Sequence, residues 1–358
     1  MTVETLVCRT LPCLLAIGGI LGAQEQTAPT FVGGVNVVVA PVTVTNDGRI
    51  VNGLEVRNFK LLDNGKEQDI KLDVAYVPIS LVLAVQCSSN AHVFLPAIKK
   101  IGPLIEGLII GKEGEAAVLA FDHRMRTIQE FTNDGRLISK ALESLNPGSS
   151  SHAMIDAVFA GTRMLRNRPK AFRRVMLVVT ETIDRGSEGH MREALLEAQF
   201  HNIQVYTVNI NRLITTLTDK GQPPRFDPYA PGQRARIPGQ PMTPSVNQAA
   251  FGISGNSANF TPLLIELFRQ TKAIFFDNPA EVFTKYTGGR EYSFINQATM
   301  ERVIGEIGED LHSQYLLSYN PNNKVEGGWH EIKVITVPAP YDTRTRPGYW
   351  MAAQPDSQ

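Results

Sequence analysis

Residues 78–90, Pro78-Ile-Ser-Leu-Val-Leu-Ala-Val-Gln-Cys-Ser-Ser-Asn90, constrain the fold more than any other stretch. An apolar run rich in Leu and Val stops abruptly in a small polar loop, and a helical pattern follows over 93–110 with Pro103 inside it. A strand buried on both faces reads as a near-continuous apolar run. In an open parallel sheet, the C-terminal end of such a strand delivers side chains to a ligand crevice.

The same rhythm continues downstream. Residues 115–121 read as a strand, 124–131 as its neighbour across Asp122-His123, and 134–145 and 153–166 as helices. Residues 174–180, with the run Val-Met-Leu-Val-Val, read as a second buried strand, followed by a helix over 188–201 and a strand over 203–210. Alternation of this kind implies right-handed crossovers and a mostly parallel, doubly wound α/β sheet with helices on both faces. Residues 217–259 break the pattern. They are rich in Pro, Gly, Gln, Asn and Ser, and read as a mobile insertion. Helices are predicted again over 262–272, 278–287 and 297–312, with a strand over 291–295 between the last two.

Both flanks of this α/β region are β-rich. Residues 35–76 contain alternating β-branched runs and two hairpin signals, Asn46-Asp-Gly48 and Asn64-Gly65. Residues 313–350 return to strands over 314–319, 330–337 and 343–350. Either set alone exposes too many strand edges. Pairing them gives one small β-sandwich, with 77–312 inserted between its halves. The aromatics Tyr315, Tyr319, Trp329, Tyr349 and Trp350 are assigned to its core; a carbohydrate platform is the competing reading.

The N-terminus has its own character. Arg9 precedes the apolar stretch 11–23, which ends in Gly22-Ala23 and is followed by Gln24-Glu-Gln26. One positive charge, a short apolar core and small residues at its end make 1–23 a secretory signal peptide rather than a frayed helix. The stretch is too short to span a bilayer comfortably, and nothing later reads as a transmembrane anchor. An extracytoplasmic location follows, either periplasmic or at the cell surface. Cleavage near Ala23 removes Cys8 and Cys13 and leaves Cys87 alone of the 3 cysteines, so the mature monomer has no internal disulfide. The 35 basic and 35 acidic residues balance, which argues against a nucleic-acid partner or a polybasic membrane patch. The basic run Arg163, Arg166, Arg168, Lys170, Arg173, Arg174 then reads as a solvated helix end, with an acidic partner as the alternative.

Several segments in order resemble the von Willebrand factor A-related proteins common in acidobacterial genomes. They are Val42-Thr-Val-Thr, Asn58-Phe-Lys-Leu-Leu-Asp-Asn-Gly65, Ile79-Ser-Leu-Val-Leu-Ala-Val85 and Gly114-Glu-Ala-Ala-Val-Leu-Ala-Phe-Asp122. Met154-Ile-Asp-Ala157, Tyr286-Thr-Gly-Gly289 and Gln314-Tyr-Leu-Leu-Ser-Tyr319 complete the set. The resemblance implies a von Willebrand A-type fold, but fold does not fix function. It also implies a place to look for Mg²⁺: an Asp-x-Ser-x-Ser motif after the first strand, a Thr from a second loop and an Asp from a third. A small hard cation wants such oxygen ligands in octahedral geometry, and a partner's carboxylate then completes the shell.

This sequence departs from that motif. The first Asp position is Gln86, Ser88 matches, and the second Ser position is Asn90. The second-loop Thr falls near Ser151 or His152, and the third-loop Asp becomes Glu181. One aligned carboxylate remains instead of two, which weakens the attraction for a hard cation. The expected crevice, made of Gln86, Ser88, Asn90, Asp122, Ser151, His152 and Glu181, is therefore degenerate and free of metal, with no cofactor. The alternative is a weak Mg²⁺ site on Ser88, Asn90 and Glu181, aided by Asp122.

Cys87 sits beside this crevice, with His123, His152 and His190 on neighbouring loops. A Cys-dependent hydrolase would need a thiolate beside a base and a third orienting group, and no cysteine-protease signature surrounds Cys87. Asp156, at the start of a helix, is assigned to the helix dipole and the preceding Ser-rich loop. The sequence thus predicts an exported, non-enzymatic module that binds an unknown protein partner.

Overall fold

The computed structural model describes residues 37–73, 77–181, 186–187, 191–210 and 278–351. The leader 1–23, the insertion 217–259, the helix predicted over 262–272 and His190 lie outside the described residues.

In chain order the strands are β1 (Val38–Asn46), β2 (Arg49–Ile50), β3 (Phe59–Asp63), β4 (Lys66–Glu67) and β5 (Ile70–Asp73), then β6 (Ile79–Gln86), β7 (Glu115–Phe121) and β8 (Met125–Thr132). They continue with β9 (Arg173–Thr180), β10 (Ile203–Ile210), β11 (Glu291–Phe294), β12 (Tyr315–Tyr319), β13 (Gly328–Thr336), β14 (Asp342–Arg344) and β15 (Gly348–Met351). The helices are α1 (Leu95–Ile98), α2 (Gly102–Leu104), α3 (Gly135–Glu143), α4 (Met154–Arg166), α5 (Met191–Phe200), α6 (Pro279–Thr287) and α7 (Gln297–Ser313).

The central sheet has the order β11-β10-β9-β6-β7-β8. All its neighbours run parallel except β7 and β8. Counting from β6 as the first strand, this is the doubly wound order 3-2-1-4-5-6 with an antiparallel edge. The topological switch point lies between β6 and β9. The alternation within β6 explains its apolar sequence. Leu81, Leu83 and Val85 pack with α1, α3 and α7 on one face. Val82 and Ala84 pack with α4, α5 and α6 on the other. No residue of β6 is exposed.

The helix read over 93–110 is instead broken. A 3-10 turn (Ser89–Val93), α1, α2 and a π turn (Ile105–Ile110) share the segment. Pro103 offers no N–H to a continuing helix, and Gly102 lies so close to Ser139 of α3 that a Cβ there would collide with it.

Two antiparallel sheets, β14-β1-β12-β5 with β2 beside β1, and β15-β13-β3-β4, form the small sandwich. Each mixes strands from both ends of the sequence: β1 pairs with β12, and β3 with β13. The hairpin signals act as read. Asp47 and Gly48 have φ of 50° and 76°, and Asn64 and Gly65 have 49° and 79°. Positive φ at both central positions is what a type I′ turn requires. Val38, Ala40, Val42, Tyr315, Leu317 and Tyr319 from one sheet meet Phe59, Leu61, Ile332, Val334 and Tyr349 from the other. Trp329 and Trp350 are half-buried outside this core, their rings 5.8 Å apart, with Tyr286 of α6 5.8 Å from Trp329.

Candidate functional site

The side chains assigned to the crevice lie at and just beyond the ends of β6, β7 and β9. Cys87 N–H donates to Phe121 O at 2.7 Å, Gly148 N–H to Cys87 O at 2.6 Å, Ser89 N–H to Ser149 O at 2.7 Å and Ala153 N–H to Asp122 O at 2.8 Å. Backbone bonds therefore lace the 87–90, 121–123 and 148–153 loops together. Gly148 is required here, because a Cβ would run into the Asp122 carboxylate.

Gln86 is fully buried at the last position of β6. Its Oε1 accepts from the Thr180 hydroxyl at 2.9 Å and from Glu181 N–H at 2.7 Å. Its Nε2 donates to Ser88 Oγ at 2.8 Å. The backbone N–H of Glu181 can only donate, so it fixes which end of the amide faces β9. Gln86 is thus a clasp across the switch point, holding the end of β6 to the end of β9.

Asp122 is 5% exposed. Its Oδ1 accepts from Arg124 N–H at 2.8 Å and lies 3.2 Å from His123 Nδ1. Its Oδ2 accepts from Ser149 N–H at 3.2 Å and lies 3.7 Å from Arg126. Burial pushes this carboxyl upward, but the two backbone N–H groups, His123 and Arg126 outweigh burial and hold it below the ordinary carboxylate value.

Glu181 differs. It is 9% exposed, and its Oε1 is buried with no hydrogen-bond partner. The other residues expected to join it have partners of their own. Asn90 is half-buried in the 3-10 turn, where its Oδ1 accepts from the Ser89 hydroxyl at 3.4 Å. The Ser151 side chain rests against Gly186, where a Cβ would collide with its Oγ. Its carbonyl accepts from Ser149 Oγ at 3.2 Å. His152 is 2% exposed. Asp156 N–H donates to Ser187 Oγ at 3.2 Å, tying the first turn of α4 to the 186–187 segment.

These side chains fit a hard cation poorly. Ser88 Oγ already accepts the Gln86 amide, Gln86 Oε1 holds two donors, and both Asp122 oxygens are engaged. Among the described residues no cluster of three or more His, Cys, Asp or Glu has the geometry of a metal centre.

Cys87 is fully buried. Burial pushes its thiol up to about 11, and the charges that bear on it come from Arg126, Asp122 and Lys99, with no histidine among them. A thiol held there is protonated at neutral pH and is a poor nucleophile. His123 is exposed and turned to Ser149 Oγ at 2.6 Å.

Sequence reading overlooked Thr180 and Ser149. Thr180 ends an apolar strand with a hydroxyl beside a carboxylate, and Ser149 lies in the run Gly148-Ser-Ser-Ser-His152; those local breaks in pattern were the available signals.

No family model matches this sequence, and no curated protein does. Solved structures with a similar fold are von Willebrand A-type proteins. One is described as an aerotolerance-related membrane protein from Bacteroides fragilis (15% identity, 64% of this chain, 98% of that chain, TM-score 0.39). Another is BatB from Bacteroides thetaiotaomicron (14% identity, 66% and 98%, TM-score 0.38). A third is a von Willebrand factor type A protein from Catenulispora acidiphila (11% identity, 70% and 45%, TM-score 0.41). Overlap this distant leaves activity open; the fold class rests on the strand order and directions given above.

Proposed function

We propose that this is an exported, non-catalytic binding or adhesion module, which offers the crevice at the β6–β9 switch point to another protein and holds no resident metal. The Gln86 clasp carries this reading. An amide that bonds Ser88, Thr180 and the Glu181 backbone at once does the organising work that a cation would do in a metal-bearing site, without the cation. The buried, protonated Cys87 supports a non-catalytic role. Among the described residues no helix is long and apolar enough to cross a membrane; the leader-like N-terminus supports export.

Calorimetric titration of the full chain with Mg²⁺, Mn²⁺ and Ca²⁺, beside a Gln86→Asp variant, tests the metal-free part. The parent is expected to give no binding heat and the variant to gain affinity. Binding by the parent at a Glu181-dependent site would establish the weaker, metal-assisted reading instead. Cross-linking in an envelope fraction tests the binding part: a partner captured by the parent and lost from an Asn90→Trp variant is expected. Equal capture by both would remove the crevice from the interface.

A further inference from the structure

At the opposite end of the sheet from the crevice, where β6 and β9 begin, lies a cavity of about 530 Å³. Its size is that of a small-molecule site. Asn52 beyond β2, Gly107 in the π turn and the 311–316 segment joining α7 to β12 border it. Asn52, Gly107 and His312 on that border are exposed, so the cavity is reached from solvent. The wall combines apolar side chains, Ile79 and Leu316 among them, with the guanidinium of Arg173, and no Asp or Glu among the described residues lines it.

Arg173 is half-buried, and what holds it is neutral. Its Nε donates to Gln204 Oε1 at 2.9 Å, its Nη2 to the side-chain oxygens of Gln204 and Gln314, and its Nη1 to the Leu311 carbonyl. A guanidinium has five N–H donors, so one on Nη1 is left over. Leu311 and Gln314 line the cavity as well, which places this edge of the guanidinium on its wall. Asp310 bears on Arg173 electrostatically but is paired with Arg344. Two guanidinium groups therefore share one carboxylate. Burial pulls Arg173 below its ordinary value and Asp310 does not restore it; at Arg344 the same burial is outweighed by Asp310, which holds that group above its own. A desolvated charge without a matching ion is costly.

We propose that this cavity binds a small organic carboxylate, its charged end on Arg173 and its apolar body against Ile79 and Leu316. A guanidinium meets a carboxylate through charge-assisted hydrogen bonds. A monoanion balances the surplus cation, and a doubly charged group overshoots it. The volume and the apolar wall favour a hydrocarbon portion over a bare inorganic ion. An amine or a metal ion would face Arg173 with no acid in the wall to hold it. The site does not depend on what the crevice at the other end of the sheet binds.

Calorimetric titration of the full chain with butanoate, hexanoate and octanoate, beside the matching amides and sulfate, tests this. Saturable binding of at least one carboxylate is expected, with its amide at least about tenfold weaker. At least one of Asn52→Trp and Gly107→Trp, each checked by its melting profile, should weaken binding as much; a Cβ at Gly107 meets nothing within 4 Å, so there is room for a larger side chain. Arg173→Gln should reproduce the loss seen with the amide. Should that variant fail to fold, the amides and the two tryptophan variants decide the matter alone. Equal affinity for acid and amide, sulfate binding as tightly as the best carboxylate, or binding that neither tryptophan variant weakens overturns the proposal. So does the absence of saturable binding by all three carboxylates up to about 10 mM.

Discussion

Two buried carboxylates mark the two ends of the same parallel sheet, and they are treated in opposite ways. Asp310, late in α7 where the strands begin, is 5% exposed. Its Oδ1 accepts from the Thr43 hydroxyl at 3.1 Å and pairs with Arg344 at 2.5 Å. Its Oδ2 accepts from the Tyr206 hydroxyl at 2.7 Å and the Gln314 amide at 3.1 Å. The donors come from β1, β14, β10 and the head of β12, so this residue joins the sandwich to the α/β layer. Glu181, where the strands finish, leaves Oε1 without a donor. Complete satisfaction marks a carboxylate that has no further donor to find. Incomplete satisfaction at the switch point leaves a carboxylate oxygen that the fold does not use as an acceptor.

The strongest way to break this contrast is to empty the satisfied end. Asp310→Ala removes the acceptor for four donor groups and leaves Arg344 without its ion partner. Breaking a buried pair from one side costs about 3–5 kcal/mol. The chemical-denaturation midpoint should fall accordingly. A loss well under 1 kcal/mol would mean that saturation at this end is not structural.

A somewhat smaller loss is expected from Gln86→Leu. The N–H of Glu181 loses its acceptor in a buried position, at about 1–3 kcal/mol for a stranded group, while the Thr180 hydroxyl keeps the Glu181 carbonyl at 3.1 Å. Hydrogen exchange should quicken at Glu181 N–H specifically, and much less at the middle of β9. Uniform quickening across the sheet would show that Gln86 is only core packing rather than a clasp.

Acid sharpens the comparison by titrating partnered carboxylates selectively. Asp63 in the sandwich bonds His330 Nδ1 at 2.6 Å, and both side chains are fully buried. Tyr319 and Tyr349 donate to its Oδ2 at 2.9 and 2.8 Å. Burial pushes Asp63 up, but hydrogen bonds from His330, Asn323 and Tyr349 outweigh it and hold it below the ordinary carboxylate value. A folded-state value below the unfolded one gives stability that is fully present above the unfolded value of about 3.9 and lost as pH falls through the folded one. Thermal melts between about pH 6 and pH 3 should therefore steepen below about pH 4, and Asp63→Asn should flatten that descent. An unchanged slope in the variant would assign the acid sensitivity elsewhere, with Asp122 next in line because it shifts in the same direction.

How much of this the sequence carried depends on the range of the interaction. β6 and its polar loop were legible because a two-sided strand leaves an unbroken apolar run, and the sandwich was legible because unpaired edges demand partners. The replacement of an acid by Gln86 was visible as a letter. Its role was not, because Thr180 lies 94 residues away and only the fold brings its hydroxyl to the amide. The same limit hid Asp310, whose partners reach from Thr43 to Arg344. The segment after Ser88 misled in another way: its apolar spacing fits a helix, while Pro103 and the close approach of Gly102 to Ser139 break it into short turns.

The finest test is the substitution expected to do least. Glu181→Gln keeps the shape and removes the charge. Because Oε1 has no donor in the folded protein, there is no hydrogen bond to lose there, and the backbone N–H that holds Gln86 is untouched. With shape kept and no such bond lost, stability should move by no more than about 0.5 kcal/mol in either direction. Asp310→Asn, made alongside, removes charge where every oxygen is used and should cost several times more. The two conservative amide swaps thus separate a carboxylate that the fold needs from one that the fold tolerates. Equal losses, read from paired denaturation curves, would show that Glu181 is held by the protein itself.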